Sequence, residues 1–473
     1  MGALEGIEHV VVLMLENRSF DCMLGKLYPK DPSFEGLSGG ERNLWLSQPV
    51  PVWASSIPLD VQAASIPDPD PGELFPDMNA QLFNGPRTAG APPMSGFVQN
   101  YMDQKPPPAE CQAVMHYFTP DQVPVISTLA RSFGVCDQWH ASAPCQTWPN
   151  RFFVHTGTSL GYVNNSNFPI PFPAPSIFKR LSDCGKGWRV YFHDVPQSLL
   201  LRDIWLEALF HFRFFSTFLS DAQNGTLPNY SFIEPRYFTD LFLNNIPNDE
   251  HPPHNVLYGE QLIADVYNAV RSSPCWKKTL LVITYDEHGG CFDHMAPPRA
   301  IPPDDHKHNG FAFDSYGVRV PAVIVSPYMP PGSKVREVPA GLPPQGPPYP
   351  FDHTSIIKTL RILFDLGPPL TRRDDVAPDL LEPLSLEEPM NDGPASVTPR
   401  ASVPSVPELE RRANARPNHM QGALSQMAAQ LPSAPLAPDA ALPEPVPLTA
   451  PVPETVAKAH ARSIIQVRSF LGL

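Results

Sequence analysis

Leu280-Leu281-Val282-Ile283-Thr284-Tyr285 is a short, largely apolar run that ends abruptly in Asp286-Glu287-His288-Gly289-Gly290. A run of this length without clean apolar–polar alternation suits a strand buried on both faces. The same form recurs at Val10–Leu15 before Glu16-Asn17-Arg18, at Arg189–Phe192 before His193-Asp194, at Tyr230–Ile233 before Glu234-Pro235-Arg236, and at Val320–Val325 before Ser326-Pro327. Helical patterns lie between them: Val123–Phe133 with Pro124 in its first turn, Gly259–Val270 and His353–Phe364. This alternation predicts an α/β chain, three-layer α/β/α with a largely parallel central sheet. Ligands of such sheets gather beyond the carboxyl ends of the strands. The densest acidic and histidine clusters stand at those ends.

Composition narrows the function. The 473 residues carry 34 Lys+Arg against 48 Asp+Glu, a net charge of −14, with no basic stripe, which argues against a nucleic-acid binder. An acidic balance is compatible with a cation-dependent enzyme. Sixty-two prolines predict few long helices and many loops. The seven cysteines are scattered without zinc-like spacing and read as reduced thiols. Ile7–Leu15 is too short to span a membrane and contains Glu8 and His9, with no basic segment before it. The expected location is therefore cytoplasmic by default, with export by a non-standard route as the alternative.

Residues 1–385 are expected to form the catalytic domain, with 32–101 as a cap-like insertion rich in Pro, Gly, Ser and Asp. Residues 386–473 read as a proline-rich tail with one or two helices. Ser405–Leu431 opens with Ser405 and Glu408 in capping-box spacing and is interrupted by Pro417. Pro432–Pro453 reads as an extended linker lacking a core. In Glu454–Leu473, Val456, His460, Ile464, Val467 and Leu471 share near-helical spacing. Such a helix packs back on the protein or makes peripheral membrane contact.

Four clusters carry candidate chemistry. Glu16 and Asn17 offer an anionic and a neutral oxygen to a divalent cation, or a turn in which Asn17 caps a helix. Thr147 precedes a short helix. Its hydroxyl needs a metal or a base to become a nucleophile, and the plain alternative is an N-cap. Asp286, Glu287 and His288 form a natural metal cradle, since adjacent carboxylates repel unless a cation or proton lies between them. His353 begins a helix facing the same edge. His251 is a weaker candidate of the same kind.

In Glu-Asn-Arg-Ser-Phe-Asp (16–21), Thr-x-Pro-Asn-Arg (147–151), Asp-Glu-His-Gly-Gly-x-Phe-Asp-His (286–294) and Asp-His-Thr-Ser (352–355), the chain resembles the bacterial phosphoesterase family of non-haemolytic phospholipases C and related acid phosphatases. The strings stand in the family's order across residues 7–370. The resemblance implies an alkaline-phosphatase-like fold, hydrolysis of phosphate esters and a nucleophile at Thr147. It implies that Glu16, Asn17, Asp286 and Glu287 shape a site for a divalent metal ion and phosphate, that His251, His288 and His353 line it, and that Asn150 and His294 contact substrate. It also implies a histidine at or beside Glu73, which this chain lacks.

The mechanism expected is a two-step phosphoryl transfer through phosphothreonine, with His353 or His288 protonating the leaving alcohol. Arg151 either neutralises phosphate charge or pairs with an acid inside the fold. The substrate is a glycerophospholipid or, in the competing reading, a small soluble phosphomonoester. A third reading is a catalytically silent binding protein with a docking tail. Leu74, Phe75, Phe83 and Phe97, and the apolar residues of Trp205–Phe218, are read as lipid-facing or as core, the second stretch more readily as core.

Overall fold

The computed structural model describes residues 3–88, 90–166, 168–337, 348–400 and 403–473. Its central sheet has eight strands: β1 (His9–Leu15), β2 (Gly134–Cys136), β3 (Trp188–Phe192), β4 (Phe212–Phe214), β5 (Tyr230–Ile233), β6 (Thr279–Tyr285), β7 (Ala322–Val325) and β8 (Ser333–Val335). They lie in the order β8-β2-β7-β6-β1-β5-β3-β4. All run parallel except β7, which is antiparallel to both of its neighbours. The long apolar runs occupy the middle of the sheet, and every residue of β6 is buried. An apolar run without alternation requires that burial on both faces.

Helices cover the two faces. α1 (Pro124–Ser132), α4 (Phe215–Asn224) and α5 (Val256–Ser272) pack together in one layer; α2 (Thr147–Thr156), α3 (Ile177–Asp183) and α6 (Thr354–Phe364) pack in the other. The three-layer, largely parallel architecture expected from the sequence is the one the chain forms. Parallel register aligns the strand ends: Leu15 sits opposite Tyr285, and Leu13 opposite Ile233. Glu16, Glu234 and Asp286 therefore leave the sheet at one edge.

Residues 32–101 build a small layer of their own. A hairpin pairs Arg42–Trp45 with Gln48–Pro51, and short helices span Phe75–Phe83 and Phe97–Met102. Val50, Leu82, Phe97, Val98 and Tyr101 form an apolar cluster with Val114 and Phe292. Phe97 is thus core, and Leu74, Phe75 and Phe83 are half-buried. In the second aromatic stretch Trp205, Phe212, Phe215 and Phe218 are buried as well.

The tail is docked. α7 (Val406–Asn414) and α8 (His419–Gln430) flank Pro417, and α9 (Val456–Leu471) packs on both. Ser405 accepts the Glu408 N–H, but the Glu408 side chain turns to Arg412. Leu424, Met427 and Ala428 of α8 join the main core. The α9 face carrying Val456, Val467 and Leu471 is turned inward, with Phe470 against Trp205 at 5.3 Å between ring centres. Nor is 432–453 without a core: Val446–Pro447 pairs with Pro169–Ile170, and Leu436, Leu442 and Leu448 pack on the main cluster. Leucines spaced between prolines bury their side chains on the domain while the backbone stays extended. Among the described residues, no helix is long and apolar enough to cross a membrane.

Two substitutions test this framework. Gly289 has φ +59°, and a Cβ there would lie 2.2 Å from the Asn17 carbonyl oxygen. Gly289→Ala should cost about 1–3 kcal/mol for the left-handed backbone alone, with the clash added, read as a lower urea midpoint. Leu424→Ala should cost about 2–5 kcal/mol in the same measurement; a value near zero would mean that α8 is not packed into the core.

Candidate active site

The acids meet because adjacent strands end together. Asn17 takes φ +53° immediately after Glu16, a conformation asparagine tolerates better than most residues. Its N–H donates to Asp286 Oδ1 at 2.8 Å, and its side-chain amide donates to Glu287 Oε1 and Glu73 Oε1, both at 2.7 Å. The Gln197 amide donates to Glu16 Oε1 at 2.8 Å. The Gly289-Gly290 turn, both residues at positive φ, lets the Asp286-Glu287 segment lie directly against Asn17.

Thr147 opens α2. Gln146 stands in the cap position and makes no side-chain cap, so Thr147 is the first helical residue rather than the cap. Its Oγ lies 3.4 Å from Glu16 Oε2 and 3.4 Å from Asn17 Oδ1, at the helix end whose partial positive charge favours an anion. One turn later Arg151 reaches Glu16 Oε1 at 2.5 Å and lies 3.9 Å from Asp286 Oδ2, while donating to the Met14 carbonyl at 3.1 Å. Asn150 is committed to the turn before the helix: its amide donates to the carbonyls of Ala143, Cys145 and Gln146, and its oxygen accepts the Ala143 N–H.

The electrostatics are those of crowded, desolvated acids. Burial raises the pKa of Glu16, which Arg151 only partly counters. Burial also raises that of Asp286, again opposed by Arg151. Glu287 lies well above the carboxylate range through burial and the charges of Glu73 and Asp286. Glu73 is the exception: burial opposes its charge, yet His251 holds it below its ordinary value. His251 in turn is raised well above its ordinary value, against burial, by Glu73 and Asp70.

The three histidines differ by their hydrogen bonds. Trp139 Nε1 can only donate, so His353 Nδ1, 3.2 Å away, is an acceptor; its Nε2–H is then given to the Asp286 carbonyl at 2.6 Å. Burial drops its pKa to about 4. His288 gives its Nε2–H to Gln81 Oε1 at 2.8 Å and is pushed by burial to about 3. Both are neutral, with their one proton already engaged. His251 donates Nδ1–H to the Pro252 carbonyl at 2.7 Å and presents Nε2, without a hydrogen bond, 3.1 Å from Glu73 Oε1.

Asp286 Oδ2, Asp70 Oδ1, His251 Nε2 and Arg151 Nε and Nη1 are buried atoms without a hydrogen-bond partner. Unpartnered carboxylate oxygens among like charges fit a cation. The oxygens of Glu16, Asn17, Asp286 and Glu287 are hard donors of the kind divalent ions take. Asp70, Glu73 and His251 offer a further group of ligand atoms within 4.8 Å of one another. Asp21, Asp293 and His294 satisfy the same distance criterion, but Arg319 bonds both carboxylates at 3.0 Å and neutralises them. His294 belongs to that brace, bonded to Asp21 at 2.7 Å. A cleft of about 260 Å³ opens beside the site, lined by Asp70, Glu73, Lys105, Gln146 and, from the tail, His419. Asp70 and Gln197 carry no sequence signal, coming from a loop and a short turn without periodicity. Glu73 had one: it stands where the family resemblance implies a histidine.

The phosphoesterase family profile matches residues 7–367. Non-specific phospholipase C1 of Arabidopsis thaliana is 39% identical over 382 residues, covering 78% of this chain and 69% of the relative. Non-specific phospholipase C6 of the same plant is 37% identical over 438 residues, covering 90% and 81%. A crystal structure of a protein in the alkaline phosphatase superfamily from Vibrio parahaemolyticus aligns with a TM-score of 0.31 at 11% identity, over 54% of this chain and 63% of that one. With its four motifs gathered at one edge of the sheet, the chain belongs to the phosphoesterase family and is a hydrolase of the phospholipase C kind.

Proposed function

We propose that the protein cleaves glycerophospholipids on the glycerol side of the phosphate through a phosphothreonine at Thr147, releasing diacylglycerol and a phosphorylated head group. The observation that carries this reading is the Thr147 hydroxyl, buried at a helix N-terminus and 3.4 Å from oxygens of both Glu16 and Asn17. Phospholipase C relatives in Arabidopsis support the choice of substrate.

Glu16, Asn17, Asp286 and Glu287 would hold a divalent cation. Bound there, it supplies the positive charge that lowers the pKa of a neighbouring hydroxyl and neutralises phosphate oxygens. Thr147 attacks phosphorus as the bond to the glycerol oxygen breaks, its hydroxyl oriented by Asn17 and its proton passing to Glu16, which returns it to the threonine oxygen when the phosphothreonine is hydrolysed. Arg151, whose Nη1 has no hydrogen-bond partner, neutralises charge that develops beside Glu16. The proton for the leaving alkoxide comes from His251, which Glu73 and Asp70 hold in its protonated form, in place of His353 or His288, whose protons are engaged. The same imidazole then takes a proton from the water that hydrolyses phosphothreonine. A second reading, a phosphomonoesterase, draws on the size of the cleft, which suits a molecule no larger than a head group.

Thr147→Ala should lower turnover of phosphatidylcholine by roughly 10⁴-fold or more with an unchanged unfolding midpoint; near-normal turnover would remove Thr147 as nucleophile. Higher turnover of p-nitrophenyl phosphate than of phosphatidylcholine would favour the monoesterase. His251→Ala should cost about 10²–10⁴-fold on a phospholipid and much less on p-nitrophenyl esters, whose leaving group needs no proton. The cation reading has a thermal signature. The carboxyl groups of Asp286 and Glu287 titrate above their unfolded values, so in metal-free protein their contribution falls as pH rises from the unfolded value through the raised one. Chelated protein should lose thermal midpoint across that window. Added divalent ion should raise the midpoint, and by more at pH 8 than at pH 5, because protons compete for the same oxygens.

A further inference from the structure

The segment between β5 and His251 ends in three consecutive exposed apolar side chains: Leu241 (44% exposed), Phe242 (95%) and Leu243 (69%). Adjacent exposed large apolar residues are not the scattered singles of an ordinary surface. The support beneath them is rigid. Asp240 and Asn245 exchange backbone hydrogen bonds at 2.8 and 3.0 Å, and Asp240 Oδ1 accepts the N–H groups of Phe242 and Leu243 at 2.8 and 3.2 Å. Lower down, Arg236 and Asn248 are paired, and Tyr237, Phe238 and Ile246 are buried. The amides of Phe242 and Leu243 are thus satisfied within the tip, which lowers the cost of entering an apolar medium.

We propose that Leu241, Phe242 and Leu243 insert into a zwitterionic phospholipid surface and hold the active-site edge against it. The stem rises from the carboxyl end of β5 and returns through Asp249, whose carbonyl accepts the Glu16 N–H, so tip and catalytic residues share one edge of the sheet. α8 ties them together: its Gln421 bonds the Tyr237 carbonyl of the stem, and its His419 lines the cleft. Residues 241–245 contain no charge, and the chain as a whole carries −14, so an apolar anchor on a neutral bilayer fits where attraction to anionic lipid does not. The proposal rests on a phospholipid substrate, and it assigns the surface that presents the lipid to the cleft.

The test is co-flotation of the full chain with phosphatidylcholine vesicles, comparing wild type with Phe242→Asp and with Leu241→Ser/Leu243→Ser, beside turnover of vesicular phosphatidylcholine and of a soluble short-chain phosphatidylcholine below its micelle concentration. Each variant should weaken vesicle partition roughly tenfold to a hundredfold and lower vesicle turnover alike, with short-chain turnover unchanged. Wild-type partition should persist in 0.5 M salt, since no ion pair carries it. Equal partition of wild type and variants overturns the proposal, as does a dimer that dissociates on Phe242→Asp with no change at vesicles. Tip-dependent partition with no phospholipid hydrolysis would sink the substrate reading and leave the anchor; phospholipid hydrolysis indifferent to Phe242→Asp would do the reverse.

Discussion

The buried pair between Arg151 and Glu16 is the constraint on which the site depends. Arg151 lies one helical turn beyond Thr147, and Glu16 is the first residue beyond β1, so their 2.5 Å contact fixes the helix start against the sheet edge. Removing one member of a buried pair strands the other charge and typically costs about 3–5 kcal/mol. Here the stranded charge would be one carboxylate more in a cavity already crowded with them. The guanidinium also grips the Met14 and Leu15 carbonyls, so it reads the end of the strand as well as its acid. Geometry of the hydroxyl and neutralisation of the acids are thus set by one side chain.

Hydrogen bonding, rather than residue type, sorts the three histidines. Trp139 fixes the tautomer of His353 and Gln81 that of His288, and each ring becomes a neutral strut for the Asp286-Glu287-His288 segment. His251 sits among acids, with Nε2 3.1 Å from Glu73 and Nδ1 3.8 Å from Asp70. Identical side chains around the same cavity so acquire different surroundings, and the proposed mechanism draws its proton from the one held among acids. The nearby Asp21, Asp293, His294 and Arg319 network makes a related point, since a plausible ligand cluster is closed by a single arginine placed between its carboxylates.

Much of this was legible in the chain. Val10–Leu15 and Leu280–Tyr285 are so uniformly apolar that only a doubly covered strand accommodates them, and the acids that follow had to emerge together. The antiparallel direction of β7 was not legible, because an apolar run has no sign. Neither were β2, β4 and β8, three-residue strands that exist through their neighbours. At the site, motif residues converged, whereas Asp70 and Gln197 arrive on irregular backbone whose path only the folded molecule defines. Of the apolar side chains read as lipid-facing or core, Phe97, Trp205, Phe212, Phe215 and Phe218 are core, Leu74, Phe75 and Phe83 are half-buried, and Phe210 is exposed. The exposed Leu-Phe-Leu tip has no signature in the chain, because three such residues in a row resemble any buried strand.

The docked tail has one more implication. His419 walls the cleft from outside residues 7–367, the span that the family profile matches. Acids, hydroxyl and doorway thus belong to different stretches of chain. A change at His419 would therefore reshape what the cleft admits without touching the acids or the hydroxyl.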